Sequence, residues 1–180
     1  MRAVVVYESC FGNTHTVAEA IARGLDADGE VPVIAVEEMT PTTLDDVDLV
    51  VCGGPTHVHG MTRASTRKGA ADQAAASDGD LELDVHAAGP GLRDWFADLP
   101  TTTALAAAFD TRVHGPAMLT GRAAKGISHQ LRHHGFDEVV EPESFLVTKE
   151  NHLEPGEVVR ATAWGRQVAE QATRSAEARP

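Results

Sequence analysis

The stretch that most constrains this chain is residues 4–16, VVVYESCFGNTHT, where the hydrophobic period changes within a few residues. Ala3 to Tyr7 is a continuous, largely β-branched apolar run, short enough for a strand and apolar on both faces, as a strand inside a parallel sheet must be. From Thr16 onward the apolar positions Val17, Ala20, Ile21, Gly24 and Leu25 recur at intervals of three and four, which predicts a helix of about three turns with one buried stripe. Between them lie Ser9, Cys10, Phe11, Gly12, Asn13 and Thr14: two hydroxyls, a side-chain amide and a glycine at a helix mouth. A helix start leaves backbone N–H groups unpaired and carries partial positive charge, so this turn is expected to hold an anion. No lysine or arginine lies between residues 3 and 22. A phosphate monoester would be held by neutral donors alone, unlike the lysine-bearing loop of nucleoside triphosphatases. A cap residue and a tight turn explain one such position well, and four consecutive donor-rich positions poorly.

The rest of the chain alternates in the same way. Val31 to Val36 predicts a second strand, with Pro32 favouring a sheet edge. Leu44 to Asp48 reads as a turn, and Leu49 to Cys52 as a third, buried strand that runs into the loop Gly53-Gly54-Pro55-Thr56-His57-Val58-His59-Gly60. Thr62 is placed to cap a helix from Arg63 to Ala76. Residues 77–91, with four acids and three glycines, read as a mobile insertion within the third crossover. Leu92, Trp95, Phe96 and Leu99 share a helical face, with Trp95 expected in the core. Thr103 to Phe109 reads as the fourth strand and Asp110-Thr111-Arg112 as its loop. Ala123 to His134 predicts a helix closed by Gly135, and Phe136 to Val147 a fifth strand kinked at Pro142. Glu154 to Glu170 predicts a last helix burying Val158, Ala161, Trp164 and Val168, followed by a polar tail from Ala172 that frays.

Five strands alternating with helices, through connections too long for hairpins, specify an α/β fold: a doubly wound parallel sheet with helices on both faces, expected here as a single domain over residues 1–180. Such a sheet binds ligands beyond the carboxyl ends of its strands, where the winding reverses. A formal net charge of −12 argues against nucleic acid or an anionic membrane as partner. Without a long apolar run or a leader ahead of the first strand, a cytoplasmic protein is expected. Cys10 and Cys52 suggest neither a disulfide framework nor a zinc site. A nucleophilic role for Cys10 would need an arginine in the turn, and residues 11–16 contain none. His57 with His59, and His133 with His134, do not share a face, so no metal site is expected.

The run Tyr7-Glu8-Ser9-Cys10-Phe11-Gly12-Asn13-Thr14 resembles the FMN phosphate loop of the flavodoxin family, whose usual form is a hydroxyl residue, any residue, a threonine or aromatic, then Gly, Asn and Thr. Phe11 is closer to the variant of flavodoxin-like quinone reductases. The resemblance implies the three-layer sandwich with strand order 2-1-3-4-5, of which flavodoxin is itself the type example, and FMN as cofactor. Ser9, Cys10, Phe11, Gly12, Asn13 and Thr14 would hold the phosphate; Pro55, Thr56, His57, Val58, His59 and Gly60 would meet the isoalloxazine, and Asp110, Thr111 and Arg112 would form its second contact loop. The chain offers no tyrosine after the third or fourth strand to stack on the ring, which leaves Val58, His59 or His114 to cover it.

The implied function is electron transfer, or reduction of a quinone-like acceptor through FMN, with NAD(P)H as a possible donor. The partner would be a redox protein or a small acceptor, and a homo-oligomer is compatible with the sequence. His57, His59 and His114 are the candidates to pass a proton to a reduced acceptor. The alternative is an interaction or sensor domain that keeps the fold and no longer binds flavin.

Overall fold

The computed structural model describes residues 1–26, 30–40, 42–77, 79 and 81–178. Its elements are β1 (Ala3–Tyr7), α1 (Asn13–Leu25), β2 (Val33–Ala35), a 3-10 turn at Val36–Glu38, β3 (Leu49–His57), β4 (Gly60–Met61), α2 (Ala64–Ala76), α3 (Leu92–Asp98), β5 (Leu105–Val113), α4 (Ala117–Thr120), α5 (Ala123–His133), β6 (Asp137–Glu138), β7 (Glu143–Val147) and α6 (Glu157–Glu177). The strands lie in the order β2-β1-β3-β5, with β6 and β7 sharing the far edge. This is the expected 2-1-3-4-5 winding with its fifth position divided. β6 pairs with Leu105 and Ala106, β7 pairs with Phe109 through Val113, and the chain between them contains Pro142.

Alternation along the strands feeds two cores. Val5 and Tyr7 of β1, with Val51 of β3 and Phe109 of β5, face Val17, Ile21, Ala161, Trp164 and Val168 of α1 and α6. Val4 and Val6, with Val50, Cys52, Ala106 and Ala108, face Leu92, Phe96, Ile127 and Leu131 of α3 and α5. Both faces of the central strands are therefore dry, as a parallel sheet requires. The first core centres on an aromatic trio, with Phe109, Phe145 and Trp164 rings 6.0 to 6.3 Å apart and edge-to-face.

Several expectations are corrected. α1 begins at Asn13, ahead of Thr16, because its first turn is polar and escapes an apolar-period reading. β3 runs to His57 and folds back antiparallel as β4, pairing Thr56 with Met61 and His57 with Gly60, so the stretch read as a loop is largely a hairpin. β5 likewise continues through Asp110, Thr111 and Arg112, which are paired to β7, with Asp110 and Thr111 paired to β3 as well. Thr62 does not cap α2: its hydroxyl donates to the buried Glu8 carboxylate, and the Thr66 hydroxyl accepts from the Arg63 N–H at 2.8 Å instead. α6 starts later than expected, leaving Val158 exposed while Ala161, Trp164, Val168 and Ala172 are buried. It also runs on to Glu177, through most of the expected frayed tail. Trp95 is only partly buried, at the margin of the second core. Residues 27–29 and 41, residues 78 and 80 of the insertion and the last two residues of the tail lie outside the described residues. Among the described residues no helix is long and apolar enough to cross a membrane.

α1 and α6 cross closely because both carry glycine at the contact. A Cβ on Gly24 would lie 2.1 Å from the Thr162 carbonyl oxygen, and one on Gly165 would lie 2.4 Å from that of Ile21. Backbone cannot give way as a side chain can, so Gly165→Ala is expected to destabilise by about 1 to 3 kcal/mol despite alanine's better helix propensity. Gly69 in α2 has open space around it, and Gly69→Ala is expected to stabilise by about 0.5 to 1 kcal/mol. Urea midpoints moving in opposite directions for the two variants would bear this out; a neutral Gly165→Ala would contradict the crossing.

Candidate functional site

The carboxyl ends of β1, β3, β5 and β7 surround a cleft of about 250 Å³. A larger cleft, about 400 Å³, opens at the opposite end of the sheet around Arg2, Leu25 and Val47. It lies off the amino ends of the strands, and among the described residues its lining includes no helix start, so the carboxyl-edge cleft is the one with binding chemistry.

At its floor β1 hands over to α1. Gly12 is the residue before the helix, with φ of 84°, a left-handed conformation that glycine adopts without strain. Its N–H donates to Ser9 Oγ at 3.0 Å, which closes the turn and leaves the Ser9 hydroxyl proton available. The intrahelical ladder starts with the Thr16 N–H on the Gly12 carbonyl at 2.9 Å. The N–H groups of Asn13, Thr14 and His15 precede it and have no helical acceptor. Thr14 is buried and its Oγ1 lies 2.7 Å from Thr111 Oγ1; one proton joins the two hydroxyls and the other is free to serve a ligand. The Asn13 side-chain amide donates across the cleft to the Asn151 carbonyl at 2.9 Å and to its Oδ1 at 3.2 Å.

Of the residues predicted for the site, Ser9, Cys10, Phe11, Asn13, Thr14, Pro55, Thr56, His57, Val58, Thr111 and Arg112 line this cleft. Gly12, His59, Gly60 and Asp110 do not. Gly12 shapes the turn from behind, and Gly60 pairs with His57 across the hairpin. His59 forms an isolated bridge with Gly121 on the outside of that hairpin. Asp110 is fully buried beneath the cleft, where its Oδ2 accepts from the Thr56 hydroxyl at 3.0 Å and the Ala124 N–H at 2.8 Å. It is a brace between β3 and α5, and not a ligand contact. Burial pushes its carboxyl upward, against hydrogen bonds from Ala124, Ser144 and Thr56. His114 is exposed and turned toward Glu154, 3.2 Å away, outside the cleft.

His57 is the histidine that the fold brings in. Burial lowers it below the ordinary 6.5, with Glu8 opposing, so the imidazole is neutral at pH 7. Its Nδ1 is buried with no protein partner. Cys10 is equally sequestered: burial first, then Glu8, pushes its thiol up to about 12, which leaves no thiolate for nucleophilic chemistry. No group of three or more His, Cys, Asp or Glu among the described residues is arranged to hold a metal ion.

Sequence reading missed Gln73 of α2 and, above all, the loop after β7, where Thr148, Lys149 and Asn151 line the cleft. The rule that loops after successive strands meet at one edge would have pointed to it. Lys149 and Arg112 also line the cleft, so two cationic side chains stand in it beside the neutral donors read from the sequence. Among the described residues no carboxylate lines the cleft, in a chain with 27 of them.

A phosphate monoester fits this floor: free helix-start N–H groups, two hydroxyls with protons to give, and no competing acid. A flat ring fits beside Pro55, His57 and Val58, with Arg112 and Val113 also lining the cleft; Val58 is 82% exposed, and neither tyrosine nor tryptophan is among the lining residues.

The flavodoxin family model matches residues 5–95, half of the chain, including the phosphate turn, β3 and its hairpin. No curated protein matches the sequence. Among solved structures, an archaeal flavodoxin is 19% identical with a TM-score of 0.63, covering 96% of this chain and 99% of its own. Flavodoxin 2 from Bacillus cereus is 20% identical with a TM-score of 0.64, over 95% and 99%. A WrbA-like flavodoxin from Agrobacterium tumefaciens is 18% identical with a TM-score of 0.59, over 96% and 97%. At such identities the likeness is one of fold, and it extends over nearly the whole chain, whereas the family match carries the turn itself. The phosphate-type turn at the head of α1, the winding of the sheet and the match over residues 5–95 together place this chain in the flavodoxin family.

Proposed function

We propose that this chain is an FMN-binding redox protein whose flavin stays open to a small acceptor of quinone type. The observation that carries the reading is the cleft floor, where unpaired N–H groups of α1 and the Ser9 hydroxyl meet in a cleft that no carboxylate lines among the described residues. Flavodoxins bind FMN, and this donor set suits its phosphate. When bound, the flavin supplies the electron chemistry, and the protein supplies binding, orientation and electrostatics.

The division of labour among the residues follows from their placement. Residues 9–14 anchor the phosphate end. Pro55 fixes the backbone of the β3 hairpin, and Thr56 is held by Asp110 so that His57 and Val58 face the cleft. His57, neutral at pH 7, offers a hydrogen bond and a relay for a solvent proton to a reduced acceptor, and not a standing acid. The ring side lacks the tyrosine or tryptophan lid that would restrict access. That openness favours a small acceptor over a carrier that only docks proteins, with NADH or NADPH as the reductant to be tried.

A fluorescence-quenching titration of flavin-free protein with FMN tests the reading. FMN is expected to bind and Ser9→Ala to weaken it by about 1 to 3 kcal/mol, or roughly fivefold to 150-fold. Absence of binding would reduce the chain to a flavodoxin fold without flavin. Oxidation of NADH or NADPH by the FMN-loaded protein, faster with a benzoquinone than without one, would support the reductase activity; no turnover with either would leave a carrier.

The neutral, half-buried His57 also sets a pH dependence. Its folded pKa lies below the unfolded one, so the unfolded chain takes up this proton first on acidification. Its contribution to stability is complete above 6.5 and declines as pH falls from there toward the lowered folded value. Denaturant unfolding at about pH 8 and about pH 5.5 should show a smaller loss for His57→Gln than for the unmodified chain, and the His57 imidazole signals should titrate below the free-histidine midpoint. A midpoint at or above that of free histidine would contradict the burial.

A further inference from the structure

The loop joining β7 to α6 is built to stay where it is. The Thr148 N–H donates to the His152 carbonyl at 2.7 Å, the Asn151 N–H to the Thr148 carbonyl at 3.1 Å, and the Glu154 N–H to the Leu146 carbonyl at 3.0 Å. Asn151 sits at φ of 63°, a left-handed conformation that asparagine tolerates. From there it receives both hydrogen bonds of the Asn13 amide, so the loop is clasped onto the first turn of α1.

That clasp carries Lys149 to the same cleft as Ser9, Asn13 and Thr14. Lys149 is exposed and makes no ion pair within 4 Å among the described residues, although the chain holds 27 carboxylates. Arg112, the other cation of the cleft, is already committed: its Nη1 donates to the Gly115 carbonyl at 2.8 Å and to Thr120 Oγ1 at 3.0 Å. The acidic neighbour Glu150 does not line the cleft. Lys149 interacts electrostatically with the adjacent, exposed Glu150, but that carboxylate stays outside the cleft, and a lysine lining a cleft that no carboxylate lines among the described residues is placed to receive an anion.

We propose that the β7–α6 loop is a fourth binding element of this site and that Lys149 gives the phosphate monoester of the flavin the positive charge that residues 9–14 lack. The inference rests on the FMN reading above. It assigns to this side chain, beside residues 9–14, a share of the discrimination between a phosphorylated flavin and the same ring without phosphate. Both ligands would share the wall of His57 and Val58, and only the ester would meet the ammonium.

The test is a set of titrations on the full, flavin-free chain and its Lys149→Gln, Lys149→Arg and Lys149→Glu variants, with FMN and with riboflavin, at low and high salt. Lys149→Gln is expected to weaken FMN about fivefold to tenfold at about 20 mM salt and to change riboflavin by less than about twofold. Lys149→Glu should weaken FMN further, Lys149→Arg should restore it, and the gap between Gln and Lys should narrow at about 500 mM salt as screening grows. Thermal midpoints of the flavin-free proteins should coincide, because Lys149 holds nothing in the fold. Equal FMN affinity for Lys149→Gln and the unmodified chain, or equal weakening of FMN and riboflavin, would overturn this inference alone. Failure of the unmodified chain to bind FMN would overturn the flavin reading and take the inference with it.

Discussion

A strand covered on both faces has nowhere to put a polar side chain except at its ends, and this constraint organises the molecule. Val4, Val5 and Val6 of β1 and Val50, Val51 and Cys52 of β3 are essentially inaccessible, as are Ala106, Ala107 and Ala108 of β5. Polar groups gather where the strands stop, and there they must be paired. Glu8, Ser9, Thr14, Thr62, Asp110, Thr111 and Ser144 are all buried at or near the carboxyl edge. Their bonds run between elements distant in sequence: Thr14 to Thr111, Thr62 to Glu8, the Leu92 N–H to Glu8, and Thr56 with the Ala124 N–H to Asp110. The network fixes the ends of β1, β3 and β5 relative to α1, α3 and α5. A cleft built on such ends is preorganised, because its neighbours have no alternative partners.

The same pairing explains the electrostatics. Carboxylates near the edge are consumed by the network: Glu8 accepts from Thr62 and the Leu92 N–H with Arg67 4.0 Å away, and Asp110 lies fully covered. Asp84 is turned toward His15, with 3.7 Å between Oδ2 and Nδ1, while its N–H donates to the Cys10 carbonyl, so the 81–91 segment closes over the outside of the phosphate turn. What remains in the cleft is neutral or cationic. A chain of net charge −12 would repel a dianion at long range, and its short-range donors have to overcome that repulsion where screening is weakest. Free N–H groups at a helix start provide donors with no charge to desolvate, and a nearby ammonium offsets part of the surrounding field.

Much of this was legible in the sequence because it is local. The switch of period at residues 4–16 encodes a strand, a turn and a helix with no help from distant contacts, and the alternation of five such units implies a doubly wound parallel sheet, whereas the strand order is what the resemblance of residues 7–14 implies. What escaped depends on pairing across the chain. Asp110, Thr111 and Arg112 look like a loop because they are polar, and become strand because β3 and β7 both offer partners for the register. Lys149 and Asn151 are unremarkable residues of a late turn until the fold lays that turn against Asn13. His114 looked equivalent to His57, yet one is paired to Glu154 at the surface and the other is enclosed. Val158 lies in the first turn of α6, at the margin of the stripe formed by Ala161, Trp164, Val168 and Ala172, and is left 37% exposed there.

The β3–β4 hairpin shows why the ring side was hardest to read. A two-residue hairpin of this kind needs positive φ at both central positions, and its sequence signature is Asn-Gly. Here the pair is Val58 and His59, at φ of 45° and 69°. A β-branched residue at positive φ costs of order 1 to 3 kcal/mol and persists only where surrounding structure over-determines it. The surroundings do so: β4 pairs back onto β3, and Gly121 lies so close to His59 that a Cβ would fall 2.2 Å from its Cα. Folding energy is thus spent to hold an exposed valine over the cleft mouth and to keep His57 enclosed beside it. Backbone held in sparsely populated conformations concentrates at binding sites, and here it falls at the hairpin tip where Val58 lines the carboxyl-edge cleft.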